Sequence, residues 1–258
     1  MSTWVLLRGL TRESRHWGEF AQILGQELPD AKVVALDLPG NGRLHHLKSP
    51  WSMQEMATHC RKDLLAQRLR PPYYLLAMSL GAMVAVAWAN QHPEELLGCV
   101  LINTSLRPFS PFYRRLRLAN YPTLLALALR APTAAQREQA ILQMTSHHMR
   151  SRSDVLAKWH RYARECPVSR ANAVRQLLAA ARYRAPADKP APPLLILASA
   201  ADCLVDPRCS RQLAASWKCE VLEHPTAGHD LPLDDGPWVA SKVHQWLKGK
   251  QPVALTSS

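Results

Sequence analysis

The sequence lacks the short motifs that mark metal, nucleotide and dinucleotide sites. No H-x-x-x-H pair, no P-loop and no G-x-G-x-x-G occurs in the 258 residues. These spacings are the ones that bring two imidazoles to a metal ion or backbone amides to a phosphate. The glycines of Pro39-Gly40-Asn41-Gly42 indicate a turn and not a phosphate cradle. We therefore expect no metal and no cofactor.

Long apolar runs and a secretion signal are also missing. The longest apolar stretch, residues 73–89, is interrupted by Ser79 and Gly81, whereas a membrane-spanning helix needs about 20 apolar residues. The first ten residues have no basic start, apolar run and cleavage site, so no signal peptide is predicted. None of the six cysteines forms a C-x-x-C pair. We expect reduced thiols, a cytoplasmic protein and no membrane span.

Acidic residues are scarce in one segment of the chain. Residues 104–185 contain 15 Lys/Arg and 3 Asp/Glu, a balance of 15 − 3 = +12, which equals the net charge of the whole chain. The segment has neither a recognisable nucleic-acid-binding motif nor an array of stacking aromatics, so no nucleic-acid partner is expected. Its positive surface could recruit an acidic partner instead.

Short apolar runs alternate with helical patterns, as a parallel sheet with crossover helices requires. Runs of this kind are typical of strands that are buried on both faces. Strands are predicted at residues 4–7, 33–37, 73–78, 99–103, 194–198 and 220–222, and helices at 53–67, 80–91 and 238–247. The predicted fold class is therefore α/β.

The stretch between the fourth and fifth predicted strands breaks this alternation. It is rich in Ala, Leu, Arg and Gln, and prolines divide it, which predicts several helices. A proline-rich linker at 187–193 leads back to the sheet. We predict an α/β core over 1–103 and 187–250, a helical cap over 104–186, and a tail over 251–258.

The segment at 75–82 combines a strand, a serine and a helix. Ser79 follows an apolar strand and is flanked by Ala77 and Gly81, and a helical pattern begins at once. A nucleophile raised on a sharp strand-to-helix turn needs small neighbours, because the backbone there is crowded. Ser79 is thus the candidate nucleophile, and the amide of Leu80 stands at a helix N-terminus that favours developing negative charge.

A serine hydroxyl needs a base, and that base needs an orienting group. His229 follows Gly228 in the turn after the last predicted strand, and Asp202 lies just past the strand at 194–198. Ends of parallel strands are where sites form. The order Ser79, Asp202, His229 therefore predicts a catalytic triad.

Asp206 is the rival acid and His224 the rival base. His224 precedes Pro225 and is interpreted as structural.

With these residues in place, the chain resembles the α/β-hydrolases, and more closely the esterases and thioesterases among them. The layout is similar to the esterases that remove a methyl group from a pimeloyl-acyl-carrier protein. Four segments carry the likeness: Leu7-Arg8-Gly9-Leu10, Asp37-Leu38-Pro39-Gly40-Asn41-Gly42, the turn at Ser79, and Ala227-Gly228-His229. Arg8 stands where the family usually has His, Asn41 replaces a common His or Phe, and the N-terminal hairpin of many relatives is not matched.

The resemblance implies a mostly parallel sheet flanked by helices, with an inserted helical cap. It implies that the amides of Leu10 and Leu80 form an oxyanion hole. In that family the acid usually sits within a few residues of its strand, which favours Asp202 over Asp206. Arg8 either forms a local structural ion pair, the role that we favour, or meets an anionic substrate. The expected substrate-binding residues are Gly9, His16, Trp17, Leu124 and Met144. Exposed cap arginines are expected to surround them, among them Arg117, Arg130, Arg137, Arg150, Arg152, Arg161, Arg164, Arg175 and Arg182.

A serine nucleophile favours acyl transfer on a small-molecule ester or thioester, within the class of carboxylic ester hydrolases. One alternative is a thioesterase or methyl esterase whose acyl-carrier-protein or coenzyme A substrates are recruited by the basic cap. Another is a non-catalytic binding module that keeps the fold.

Overall fold

Six parallel strands form the centre of the protein in the computed structural model, which describes residues 2–129, 133–147 and 152–249. The sheet order is β2-β1-β3-β4-β5-β6, and every neighbouring pair is parallel. The strands are β1 Ser2–Leu7, β2 Ala31–Leu36, β3 Tyr73–Met78, β4 Leu96–Ile102, β5 Leu194–Ser199 and β6 Glu220–His224. All six predicted strands are confirmed, although β4 begins three residues earlier than the apolar run indicates.

Helices cover both faces of the sheet. On one face α1 (Phe20–Glu27) contacts α11 (Gly236–Lys248), which follows the short helix α10 (Leu231–Asp234). The apolar residues of α1 and α11 pack with Trp4 and Leu6 of β1. On the other face α2 (Met53–Ala66), α3 (Leu80–Gln91) and α9 (Arg208–Trp217) pack with Val5 and Leu7. Alternate residues of β1 therefore serve two separate cores, which is why its run is continuously apolar.

A helical insertion joins β4 to β5, as predicted. Its helices are α4 Phe112–Arg115, α5 Tyr121–Leu129, α6 Ala134–Thr145, α7 Arg152–Glu165 and α8 Arg170–Arg182. Pro122 lies in the first turn of α5, where a proline needs no hydrogen-bond acceptor. Among the described residues, no helix has the length and apolar character needed to span a membrane. Arg130, Arg150 and the predicted tail lie outside the described residues.

The cap meets the core through a buried ion pair. Arg12 Nη1 donates to Glu138 Oε2 of α6 at 2.5 Å, and both side chains are under 10% exposed. The Arg12 guanidinium also lies 4.9 Å from the ring centroid of Trp159 in α7. These contacts fix the cap beside the turn that follows β1.

Candidate active site

Ser79 occupies a strained turn between β3 and α3. Its φ of 54° and ψ of −117° are rarely adopted by a residue with a Cβ, and such strain is concentrated at functional sites. Gly81, in the first turn of α3, has no room for a side chain, because a Cβ there would lie 2.5 Å from the Leu7 carbonyl oxygen. Ala77 is fully buried in β3, so the strand accommodates its methyl group where the common motif has glycine.

Asp202 and His229 lie in hydrogen-bond contact. Asp202 Oδ2 is 2.7 Å from His229 Nδ1, and the two side chains are 2% and 3% exposed. The other oxygen of Asp202 accepts the amides of Leu204 and Val205 at 2.8 and 2.9 Å. The carboxylate is therefore fixed by three partners and holds the imidazole in one orientation.

The rival acid is occupied elsewhere. Both carboxylate oxygens of Asp206 accept from Arg208, and one also accepts the Arg208 amide. The hydrogen bonds from Arg208 lower the pKa of Asp206 below its ordinary value. Asp206 is thus bound to the start of α9, and the geometry selects Asp202 as the partner of His229.

The rival base is also bound elsewhere. His224 Nε2 lies 3.1 Å from Asp235 Oδ2, and its Nδ1 accepts the amide of Ala227 at 2.9 Å. Both ring nitrogens therefore shape the turn that leads to His229.

β4 lies between β3, which ends beside Ser79, and β5, which precedes Asp202. The Ser79 amide donates to the Ile102 carbonyl at the end of β4, and Asn103, the next residue, donates from Nδ2 to the His229 carbonyl at 2.8 Å. Among the described residues, the Ser79 hydroxyl makes no hydrogen bond to the His229 ring. Catalytic hydrogen bonds of this type often shorten only when substrate binds.

The turn after β1 approaches Ser79 closely. A Cβ on Gly9 would lie 3.2 Å from Ser79 Cβ and 3.6 Å from Ser79 Oγ, so only glycine leaves this space open. Within the described part of the chain, the amides of Leu10 and Leu80 donate to no protein acceptor. The Leu10 side chain packs on the core. Two free amides near one hydroxyl have the chemistry of an oxyanion hole.

Arg8 forms a buried ion pair, as expected for a structural role. Nη1 and Nη2 donate to the two oxygens of Asp230 at 3.0 and 2.5 Å, and the guanidinium lies 4.9 Å from the Trp17 ring centroid. Asp230 directly follows His229 in the sequence. The ion pair therefore connects the turn after β1 to the loop that carries His229.

His16 and Trp17 face the protein interior. His16 is 7% exposed and makes edge contacts with the rings of Trp159 and Tyr162. Burial and the neighbouring Arg12 hold the pKa of His16 well below its ordinary value. Neither His16 nor Trp17 contacts Ser79 or His229 through a hydrogen bond or ring contact that the described residues show, so their part in substrate binding stays a prediction.

The cap residues divide into two groups. Leu124 and Met144 are partly buried, as a lining role requires, and that role also stays a prediction. Arg117 and Arg175 differ from the expected free basic surface, because they donate to the carbonyls of Asp202 and Ser49 at 2.8 and 2.6 Å. One guanidinium nitrogen of each arginine therefore satisfies a backbone carbonyl oxygen.

Sequence reasoning missed the polar residues that hold the loops. Asn103 follows β4 and binds both Ser199 and the His229 carbonyl, and Gln176 of α8 is completely buried. The position of Asn103 directly after a strand was the available signal. Gln176 carries no such signal, because its partners at residues 11, 41 and 49 are distant in sequence.

A family model and several known proteins are similar to this chain. The family model described as "Alpha/beta hydrolase family" matches residues 4–242. The RutD protein of Klebsiella pneumoniae (strain 342), a carbamate hydrolase candidate, is 29% identical over 231 residues, covering 86% of this chain and 84% of RutD. The pimeloyl-[acyl-carrier protein] methyl ester esterase of Chromobacterium violaceum is 33% identical over 92 residues, which are 36% of this chain and 34% of that enzyme. That match spans about a third of the length of the esterase.

A solved structure matches nearly the whole fold. The enol-lactonase of Burkholderia xenovorans LB400 superposes with a TM-score of 0.78 at 17% identity, covering 96% of this chain and 91% of the lactonase. At that identity the likeness shows the fold alone. Because the family model covers most of the sequence, this chain belongs to the α/β-hydrolase family.

Proposed function

We propose that this hydrolase cleaves carboxylic esters or thioesters through an acyl-enzyme on Ser79. The observation that supports it most strongly is the 2.7 Å contact between Asp202 and His229, located at the same edge of the sheet as the strained turn at Ser79. A base oriented by a carboxylate is the arrangement that activates a serine hydroxyl.

The chemistry follows from these positions. His229 Nε2 accepts the proton as Ser79 Oγ attacks the acyl carbonyl, and the Leu10 and Leu80 amides stabilise the resulting oxyanion. The C–O or C–S bond then breaks, and the imidazolium gives its proton to the leaving alcohol or thiol. A water molecule repeats the attack on the acyl-enzyme, which releases the acid and restores Ser79.

A panel of p-nitrophenyl esters and acyl thioesters of varied chain length tests this function, with Ser79→Ala as the control. We expect turnover of at least one class by the wild type and its loss in Ser79→Ala. A fluorophosphonate probe should label only the wild type. Equal labelling of both proteins would favour the non-catalytic binding module.

A second candidate concerns substrates attached to an acyl-carrier protein or to coenzyme A. The cap surface favours it, because Phe112, Leu118 and Leu125 are 68%, 58% and 59% exposed in a segment that contains six arginines and no acid between residues 96 and 137. Apolar side chains among positive charges suit an acidic partner with an acyl group.

Salt and charge reversal test this candidate. Activity on carrier-linked substrates should fall in 0.3 M salt and in a variant with Arg161 and Arg164 changed to Glu, while activity on small p-nitrophenyl esters stays constant. If neither 0.3 M salt nor the charge reversal lowers activity on carrier-linked substrates, recruitment by the cap is excluded.

A further inference from the structure

The cap is attached directly to the loop that carries Asp202. The Arg117 amide donates to the Leu204 carbonyl at 3.0 Å, and Arg117 Nη1 donates to the Asp202 carbonyl at 2.8 Å. Asn120 Nδ2 donates to the Cys203 carbonyl at 2.8 Å. Three consecutive carbonyls of the acid loop, from Asp202 to Leu204, are thus bound by one short cap segment.

A second part of the cap is attached to the loop that carries His229. The Asp230 amide donates to the Thr145 carbonyl at the end of α6 at 2.7 Å. A Cβ on Gly228 would lie 2.8 Å from that same carbonyl oxygen, so the two backbones are in contact. Asp234 accepts the amides of Gly228 and His147 at 2.6 and 3.0 Å, which connects the two segments again.

A third part of the cap is attached to the oxyanion turn. Gln176 of α8 accepts the amide of Thr11 at 2.9 Å and donates to Asn41 Oδ1 at 2.7 Å. Asn41 in turn donates to the Arg12 carbonyl at 3.0 Å. Thr11 directly follows Leu10 and has a positive φ of 56°, a conformation that needs outside support.

We infer that the cap is a positioning element of the catalytic machinery, with Arg117 holding the acid loop and Gln176 holding the oxyanion turn. This inference rests on the proposed function of Ser79, Asp202 and His229. A displacement of about 1 Å in a catalytic group lowers rates by up to about 10²-fold. The cap thus adds to the contacts that hold the three loops in their relative positions.

A purely structural attachment would give a different result. If Arg117 and Gln176 only stabilised the cap, their loss would lower the melting temperature and leave the reaction of the folded enzyme unchanged. Positioning instead predicts a fall in kcat with little change in KM, because the contacts hold reacting groups and not the substrate.

Kinetics on a small activated ester test the inference, since such a substrate needs few contacts with the cap. Arg117→Met and Gln176→Met are compared with Arg170→Met and Gln139→Met, which change exposed side chains of the same types on the cap. We expect kcat to fall about ten-fold or more in the first two variants, with KM within about two-fold, and no change in the controls. Arg117→Lys should recover part of the rate, because an ammonium also donates to a carbonyl.

A spectroscopic measurement completes the test. The proton shared by Asp202 and His229 should give a downfield NMR signal that broadens in Arg117→Met and stays sharp in Arg170→Met. Because Arg117 is partly exposed, its variants test the inference even if Gln176→Met does not fold. The inference alone is overturned if the wild type is active and Ser79→Ala is inactive, while Arg117→Met has the same kcat and NMR spectrum as the control variants. Loss of the difference between the wild type and Ser79→Ala overturns the proposed function.

Discussion

Arg8 and Asp230 form a bidentate ion pair that joins the turn after β1 to the loop of His229. Their side chains are 2% and 3% exposed, respectively. We predict that Arg8→Met lowers the free energy of unfolding by about 3–5 kcal/mol, because the Asp230 carboxylate stays buried without its partner. Urea denaturation measures this change. The double variant Arg8→Met/Asp230→Leu should recover most of the loss, since it removes both charges. A double variant less stable than Arg8→Met would contradict this account.

Gly9 leaves space beside the candidate nucleophile. A Cβ at this position would lie 3.6 Å from Ser79 Oγ, where the substrate carbonyl must approach. We predict that Gly9→Ala lowers kcat/KM for p-nitrophenyl esters by about 10²-fold, as loss of one oxyanion donor does, with the melting temperature almost unchanged.

Gly25→Ala is the matched control, because a Cβ there meets only Val33, at 3.9 Å. That variant should keep full activity and gain up to about 1 kcal/mol of stability from a better helix former. Similar activity in the two alanine variants would show that the space at Gly9 is not used.

The two aspartates after β5 allow a comparison within one loop. Asp202 contacts His229, whereas Asp206 binds Arg208. We predict that Asp202→Asn lowers kcat by about 10²–10⁴-fold, because the imidazole loses its orienting carboxylate. Asp206→Asn should change kcat by less than about three-fold and should mainly lower stability. Steady-state kinetics decide the assignment, and a larger loss in Asp206→Asn would reverse it.

The sequence was sufficient for the parts of the fold that local patterns control. The four inner strands, β1, β3, β4 and β5, are mostly buried, so their apolar runs are almost unbroken. The edge strands β2 and β6 are only partly buried. The turn at Ser79 needs small neighbours, and these are visible in the few residues around it. The assignment of Ser79, Asp202 and His229 as a triad was also possible from local patterns, because it uses only the strand that each residue follows.

Contacts between distant segments could not be predicted in this way. Arg117 was expected on a free basic surface, yet its guanidinium binds the Asp202 carbonyl 85 positions away. The part of His16 in substrate binding stays a prediction, and its ring contacts with Trp159 and Tyr162 of the cap had no signal in the sequence. Nothing in the composition of either segment specifies its partner. The packing of the cap on the core decides which cap arginines stay exposed and which bind carbonyl oxygens of the core.

The buried His16 should make stability depend on pH. Burial and Arg12 lower its pKa well below the ordinary 6.5, so below pH 6.5 the unfolded chain binds a proton that the folded protein does not. Stability from this residue is therefore complete above pH 6.5 and is lost as the pH falls. We predict that lowering the pH from 7 to 5 destabilises the wild type by about 2 kcal/mol more than His16→Asn.

Asn is the suitable replacement because its side-chain oxygen can accept the Glu13 amide, which His16 Nδ1 accepts at 3.1 Å. Urea denaturation of both proteins at each pH measures the difference, and His46→Asn, at an exposed position, serves as the control with the wild-type pH dependence. The opposite sign, with His16→Asn losing more stability than the wild type at pH 5, would mean that the folded protein binds the proton. In that case His16 would carry its charge beside Arg12, and the contact of Arg12 with the cap would depend on that charge.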